Sequence, residues 1–235
     1  MRECVMRDDL GLDYTTDNPT SVQLFTEALE DYLASSAHVM PCLEGLLEND
    51  PNMPMALLFR AYLLKLAADP RFRAAIQQCF DSVSARSDLN DREQRYLKAL
   101  SLWQADQMED SAAVFDDIVL NYPKDMLALR MAHYLHFYGN GGRQMMESLQ
   151  VALQHHDTND RYYGFLKGMH SFALEESGSY PEAEAAGLEA LDINRQDIWA
   201  AHAVTHVYQM QSRFEEAIPF IDSLLPEWNS ANNFV

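Results

Sequence analysis

Hydrophobic side chains recur at intervals of three and four residues along almost the whole chain, whereas alternation of apolar and polar residues never lasts more than a few positions. The first spacing places apolar side chains on one face of an α-helix, so the pattern predicts an all-α protein. Breaks rich in Pro, Gly, Asn and Asp, with weaker ones near residues 37, 106 and 212, divide it into about twelve helices. The clearest breaks are Asn18-Pro19, Asn49 to Pro51, Asp69-Pro70, Ser87 to Asp91, Tyr122-Pro123, Gly139 to Gly142, Asp157 to Asp160, Ser177 to Ser179 and Asn194 to Asp197.

Three segments of the chain resemble one another at a constant interval. "NDPNMPMALL", "NYPKDMLALR" and "INRQDIWAAH" place Pro51, Pro123 and Arg195 at equivalent positions, and 123 − 51 and 195 − 123 both give 72 residues. Half of this interval is close to the roughly 34 residues of a tetratricopeptide unit, which is one pair of helices. One position in the second helix of each predicted pair recurs at steps of 34 to 38 residues and gives six pairs: Val39, Ala75, Ser111, Met145, Ala183 and Ala217.

The repeat also predicts how the helices pack. A single helix pair cannot cover its own apolar face, so each pair must stack on the next. We therefore expect a right-handed α-solenoid of about six tetratricopeptide-like pairs over residues 18–235, with residues 1–17 as an N-terminal extension. An irregular helical bundle is the alternative. The last pair would be open, because no capping helix follows it in this sequence.

Charge and hydropathy limit the partners. The chain has 36 acidic and 17 basic residues, a net charge of −19, so we expect no binding to nucleic acid or to an anionic membrane and a preference for a cationic partner. No apolar run approaches the length of a membrane span, which is about 18 residues or more, and no signal segment is evident, so a cytoplasmic protein is expected. Cys4, Cys42 and Cys79 are an odd and scattered set, typical of buried thiols rather than of disulfides.

Three phrases carry a more specific resemblance. "PKDMLAL", "KGMHSFALEE" and "WAAHAVTHVY" are similar to stretches of the tetratricopeptide repeat protein 38 family, and the similarity extends over most of residues 15–235. The resemblance implies a helical-repeat fold more securely than an activity. Members of that family are about twice as long, so it also implies that this chain lacks their C-terminal half.

Family analogy assigns ten side chains to a binding groove. In a tetratricopeptide array, the first helix of each pair lines the concave surface, and fixed positions of each repeat point into it. This lining would be aromatic and partly polar, as expected for a peptide or ligand site. The alternative is that many of the rings pack against the next helix. The groove residues are Tyr96, Trp103, Arg130, Tyr134, Phe137, Phe172, Trp199, His202, His206 and Gln209.

Two histidines four residues apart leave three interpretations open. His202 and His206 share one helix face, where they could contact a ligand, sit as satisfied packing groups, or bind a metal. A zinc-protease helix has Glu directly after the first His, and here that residue is Ala203. Binding a metal also requires a third ligand, such as His170. We therefore predict neither a metal nor any other cofactor.

The sequence favours a non-enzymatic binding or scaffold module whose concave aromatic groove takes a peptide, a protein or another extended ligand. The alternative is an enzyme with a His-based, metal-assisted or general-base site around Trp199, His202 and His206, completed by residues beyond 235. No nucleophile motif or phosphate-binding loop of a known kind supports catalysis, so no catalytic residue is assigned. Self-association through the open C-terminal end is a third hypothesis.

Overall fold

The computed structural model describes residues 5–139 and 141–231. In this part of the chain, twelve α-helices form six consecutive pairs and the chain is 73% helical, which confirms the all-α solenoid. There are also two short 3₁₀ turns: Pro70–Phe72 lies between the two helices of the second pair, and Leu225–Ser230 follows the last helix. The helices are α1 Pro19–Leu33, α2 Val39–Asn49, α3 Pro54–Leu66, α4 Arg73–Ser84, α5 Asp91–Gln104, α6 Met108–Asn121, α7 Met126–Tyr138, α8 Gly142–Leu153, α9 Tyr163–Glu176, α10 Tyr180–Ile193, α11 Ile198–Met210 and α12 Phe214–Leu224.

Each pair packs on the next, and small residues allow close approach. In the third pair, the Ser111 hydroxyl on α6 donates to the carbonyl of Ala99 on α5 over 2.9 Å. In the fifth pair, the same crossing is bridged in the opposite direction, because the Ser171 hydroxyl on α9 donates to the carbonyl of Ala183 on α10 over 2.7 Å. Both serines are fully buried, so these bonds hold the two helices of a pair together within the core.

The turn inside most pairs depends on one residue in the left-handed backbone region. After α5, the N–H of Gln107 donates to the carbonyl of Leu102 over 3.0 Å, which is the bond of a Schellman turn. Four of these positions are not glycine, which explains why the breaks near residues 37, 106 and 212 are weak in the sequence. The left-handed residues are Ser35 (φ 53°), Ala68 (φ 52°), Asp106 (φ 59°), Gly178 (φ 77°) and Ser212 (φ 59°).

A short β-hairpin, which the sequence pattern did not predict, precedes the helices. Strand β1 (Val5–Arg7) pairs antiparallel with β2 (Asp13–Thr15), and β2 lies against α5. Helix α5 starts with a capping box, in which Glu93 N–H donates to the Asn90 side chain and Asn90 N–H donates to the Glu93 carboxylate. That carboxylate also accepts the N–H and the hydroxyl of Thr15 at 2.9 and 2.5 Å. Part of the expected extension is therefore packed onto the repeat domain.

A buried ion pair anchors the same region. Arg92 and Asp125 are each 2% exposed, and Nη1 of Arg92 lies 2.9 Å from Oδ2 of Asp125. The guanidinium also donates to the carbonyl of Asp13 over 2.8 Å and lies over the Tyr14 ring at 4.6 Å. Asp125 in turn accepts the Tyr96 hydroxyl at 2.7 Å and caps α7. Every charge is thus paired, as a buried ion pair requires.

The stack curves until the first and last pairs touch. Ser36, in the turn after α1, forms an isolated antiparallel bridge with Ala231, which follows the last 3₁₀ turn. Arg161, just before α9, pairs with Asp9 at 3.0 Å and with Glu30 of α1 at 3.4 Å. The first helices of the early pairs therefore face those of the late pairs across the interior.

Other expectations have mixed outcomes. Cys79 is buried and Cys42 is half-buried, whereas Cys4 lies outside the described residues. Residues 232–235 also lie outside them, but the last pair does expose large apolar side chains, with Phe214 56% and Ile218 62% accessible. Among the helices described, none combines the length and the apolar character that crossing a bilayer demands.

Replacing Gly187 with alanine tests the close packing of α10 on its neighbours. A Cβ at this position would lie 2.4 Å from Cγ2 of Val204 and 2.7 Å from Oγ of Ser171. We expect Gly187→Ala to lower the free energy of unfolding by about 1–3 kcal/mol because of overpacking. Chemical denaturation followed by circular dichroism measures this change.

Gly45→Ala is the matched control, because a Cβ on this exposed α2 residue meets nothing within 4 Å. Alanine in an open helix position should raise the free energy of unfolding by about 0.5–1 kcal/mol. Equal stabilisation by both substitutions would show that the α10 contact is looser than described.

Candidate functional site

Seven of the ten predicted groove residues lie together, on the first helices of the last three pairs. Ring contacts and one cation–π contact connect them without a gap. Those on α7 and on α11 are three or four residues apart, a spacing that places side chains on one helix face. The remaining one is on α9, which lies between these two helices. The seven are Arg130, Tyr134, Phe137, Phe172, Trp199, His202 and His206.

Phe172 is the buried centre of this group. Its ring centroid lies 5.3 Å from those of Phe137 and Trp199 and 5.8 Å from that of His202, all in edge-to-face geometry. Such contacts stabilise rings by about 0.5–1.5 kcal/mol beyond their burial. With 1% of its surface accessible, Phe172 positions the other rings and offers no surface to a ligand.

The more accessible rings form a line, which we call the ring ladder: Tyr138, Tyr134, Trp199, His202 and His206. Successive ring centroids along it lie 4.9, 6.5, 5.6 and 4.3 Å apart. Tyr138 is 59% exposed and the His206 side chain is 40% exposed, while the three rings between them are partly buried. The ladder is therefore a row of rings with polar tips that runs from α7 to α11.

The two histidines contact each other. Nε2 of His202 lies 3.0 Å from Nε2 of His206, and burial together with this neighbour lowers the pKa of His202 to about 4. His202 is thus neutral at physiological pH and can exchange one hydrogen bond with its partner. Nδ1 of His206 lies 3.6 Å from Oε2 of Glu175, whose pKa is raised by burial. Within the described ranges, Glu175, Glu176 and His206 are the three side chains spaced to hold a metal ion, and His202 is not among them.

Arg130 is a buried cation beside the ladder. It is 4% exposed, and Cζ of its guanidinium lies 4.2 Å from the centre of the Trp199 ring. The guanidinium is also electrostatically coupled to the Tyr32 hydroxyl on α1, and burial lowers the pKa of Arg130. Its Nε has no hydrogen-bond partner, and no carboxylate of the described chain lies within ion-pair distance of it. A buried guanidinium without a paired anion is costly unless something else compensates its charge.

Asp197 is a carboxylate to which Arg130 is electrostatically coupled. Its Oδ1 caps α11 by accepting the N–H groups of Trp199 and Ala200 at 3.0 and 3.1 Å. Its Oδ2 is buried and has no partner, and burial raises the pKa of Asp197 to about 7. Gly168 on α9 makes room for it, because a Cβ there would lie 2.1 Å from this oxygen.

The 72-residue repeat shows why Asp197 is unpaired. Asp125 occupies the equivalent cap 72 residues earlier, and Arg92 and Tyr96 of the preceding first helix satisfy its carboxylate. The positions on α9 that correspond to Arg92 and Tyr96 are Gly164 and Gly168. Asp197 therefore caps its helix as Asp125 does, but the residues at the positions of Arg92 and Tyr96 have no side chain that could pair with its carboxylate.

A cavity of about 450 Å³ opens beside Arg130, between the early and the late pairs. We call it the central cavity. Tyr32, Arg130, Tyr134 and Trp199 form one side of it. At its rim, Nε of Arg60 donates to the Glu44 carboxylate over 3.0 Å. The rest of the wall is largely apolar and includes Val39, Met40, Leu63, Leu66, Phe72 and Ala75.

The other three predicted residues lie elsewhere. Tyr96 is fully buried, and Trp103, 7% exposed, stacks on Tyr62 with centroids 6.1 Å apart. Tyr96 offers no surface to a ligand because its ring is buried, and its hydroxyl donates to Asp125. Gln209 is exposed near the end of α11.

Sequence reasoning missed Tyr32, Tyr138 and Asp197. Of these, Asp197 could have been found, because it aligns with Asp125 across the 72-residue repeat. Tyr138 directly follows a predicted groove residue, Phe137, so only the exact helix register separates the two. Nothing in the sequence pattern indicates that Tyr32 meets α7.

Comparison with known proteins supports the fold. The chain matches MamA from Desulfovibrio magneticus RS-1, residues 41 to the end, with a TM-score of 0.50, 15% identity, and coverage of 74% of this chain and 97% of that one. A MamA double mutant matches with a TM-score of 0.49 and 16% identity over 72% of this chain and 95% of that one. MamA is a tetratricopeptide-like helical protein, so a fold of this type is shown. No protein-family model matches, and the resemblance to the tetratricopeptide repeat protein 38 family stays a prediction.

Replacing Asp197 with asparagine tests the buried carboxyl group. Because the pKa of Asp197 is raised from 3.8 to about 7, the folded state binds more protons than the unfolded state between these pH values. The contribution of this group to the free energy of unfolding therefore falls as pH rises through that window and is lost above it. Asn cannot ionise and is an equally good cap.

We expect Asp197→Asn to gain stability relative to the wild type by at least about 1 kcal/mol as pH rises from below to above this window. Chemical denaturation of both proteins at a series of pH values measures the difference. Stability curves that run parallel across the whole range would contradict a raised pKa.

Proposed function

We propose that this protein is a non-enzymatic binding module that holds an extended polypeptide segment along the ring ladder. The observation that carries the proposal is the ladder itself: five rings in line, joined at centroid separations of 4.3 to 6.5 Å and accessible at both ends. Curved helical-repeat stacks use such inner surfaces for binding.

The chemistry of the ladder suits a peptide. Tyr and Trp provide rigid apolar area at low entropic cost, and their hydroxyl and indole groups can also form hydrogen bonds. Tyr134 and Tyr138 place their hydroxyl oxygens 3.2 Å apart, and His202 and His206 place two ring nitrogens 3.0 Å apart. The tyrosine hydroxyls can pair with the amide groups of an extended backbone while the ring faces contact its side chains, whereas the two Nε2 atoms are paired with each other.

Charge favours a basic segment. The chain carries a net charge of −19, which attracts cations over a long range. At the His206 end of the ladder, Glu175 of α9 has a buried Oε2 without a hydrogen-bond partner, and exposed Glu176 lies beside it. A Lys or Arg of the bound segment would compensate both carboxylates. We therefore expect apolar or aromatic residues followed by a basic one.

No observation favours the enzyme hypothesis, so it is not carried forward. His202 and His206 contact each other and Glu175, and no nucleophilic side chain is hydrogen-bonded to either imidazole in the part of the chain described. A cytoplasmic location and self-association through the last pair remain predictions from the sequence.

Selection of peptides from a phage-displayed library of random sequences on the immobilised full chain tests the proposal. We expect enriched sequences that combine an aromatic or aliphatic residue with Lys or Arg. A labelled synthetic peptide of the enriched type should bind in fluorescence anisotropy, more weakly as ionic strength rises. Tyr138→Ala and His206→Ala should each lower its affinity about tenfold or more.

Leu120→Ala is the matched control, because it also truncates a large exposed side chain, 67% accessible, but one that lies on α6 and is not part of the ladder. It should leave peptide affinity unchanged. If no sequence is enriched, or if the ladder variants bind the selected peptides as tightly as the wild type, the proposal is wrong.

A further inference from the structure

The central cavity combines an apolar wall with one uncompensated buried cation. Its volume of about 450 Å³ is within the range of about 300–1,000 Å³ typical of small-molecule sites. Arg130 contributes to the wall, is 4% exposed and has an Nε without a partner. The other charged side chains of the wall, Arg60 and Glu44, neutralise each other at 3.0 Å. One positive charge is therefore available to a ligand.

We propose that the central cavity binds a small apolar monocarboxylate, whose carboxylate pairs with Arg130 and whose hydrocarbon part packs against the aliphatic wall. A planar carboxylate matches the forked donors of a guanidinium, which can bind it through two parallel hydrogen bonds. The Tyr32 hydroxyl, which also lines the cavity and is electrostatically coupled to the same guanidinium, can donate its hydrogen to the bound oxygen. Because Arg130 is the one cation of the described cavity wall that has no paired anion, we expect the ligand to carry one carboxylate.

The wall determines the shape of the hydrocarbon part. Leu63, Leu66, Val39 and Met40 come from α2 and α3, whereas Arg130 comes from α7, so helices other than that of the charge supply this apolar surface. Aliphatic side chains dominate it, and Met adapts to irregular shapes. A ligand whose body is an unbranched hydrocarbon chain of moderate length thus fits this wall better than a ligand that carries a second polar group.

The acidic surface of the protein does not prevent anion binding here. A net charge of −19 repels anions from a distance, but this repulsion is screened within about 10 Å at ordinary ionic strength. Arg130 acts at contact distance inside a low-dielectric wall, where the attraction between opposite charges is strongest. Asp197 competes for the same cation, but it lies beyond ion-pair distance and caps α11.

Calorimetric titration of the full chain with a series of straight-chain acids tests the proposal. We expect saturable binding of one decanoate per chain, weaker binding of hexanoate, which buries less surface, and weaker binding of hexadecanoate, which is too long for the cavity. Decanol, which has the same chain without the charge, should bind with an affinity lower by about tenfold or more.

Two variants locate the site. Arg130→Gln removes the charge and should lower decanoate affinity about tenfold or more, while decanol affinity changes little. Ala75→Trp fills the cavity from its α4 wall, leaves Arg130 in place and should abolish the binding of both. The second variant keeps the test valid if the first does not fold, as judged by circular dichroism.

Each variant has a matched control. Arg143→Gln removes a charge from a side chain that is 88% exposed, and Ala74→Trp adds the same ring at the neighbouring, exposed position outside the cavity. Both should bind decanoate as the wild type does. Affinity that rises steadily with chain length, equal binding of decanol, or unchanged binding by Ala75→Trp would overturn the proposal.

The inference goes beyond the peptide function and fails separately from it. Tyr138 and His206 do not line the central cavity, so their alanine variants should retain decanoate binding even where they lose a peptide. Ala75→Trp is not used to test peptide binding, because Tyr134 and Trp199 belong both to the ladder and to the cavity that the new ring would fill.

Discussion

The need of each helix pair to bury an apolar face determines the rest of this structure. A pair exposes too much apolar surface alone, so six pairs stack, and residues such as Ser111 and Ala183 let the helices approach until their backbones are bridged. Stacking with a constant rotation makes the array curve. Here the curve is tight enough that Ser36 meets Ala231, and the first helices of distant pairs face one another.

Within this repeat, the Asp that caps a first helix has different surroundings in the fourth and sixth pairs. At Asp125 the cap carboxylate is fully paired with Arg92 and Tyr96, and through Arg92 it is tied to the N-terminal hairpin. At Asp197 glycines replace both partners, so α11 lies close to α9 and the carboxylate is only half satisfied. The first arrangement stabilises the fold, and the second places the indole of α11 against a buried guanidinium.

Much of the fold follows from local sequence. Helix periodicity, the capping box at Asn90 and the 72-residue interval each reflect interactions between residues close in the chain, so the six pairs could be predicted. The ladder was predicted in part, because residues four apart on α7 and α11 share a face. Tyr96 and Trp103 were assigned to the groove by analogy, whereas their large rings are buried against Tyr62. The central cavity could not be predicted, since it depends on curvature accumulated over several pairs.

That curvature also has a consequence for folding cooperativity. In a linear repeat array each unit contacts only its neighbours, and the ends can unfold independently. In this chain the cavity wall joins α1 to α4 with α7 and α11, and Arg161 links α1 to the start of α9. If the helices at one end unfold, the helices at the other end lose the contacts they made with them. The unfolding of units that are far apart in sequence is therefore coupled. Any molecule held between them would act as a further crosslink of the native state, in proportion to its occupancy.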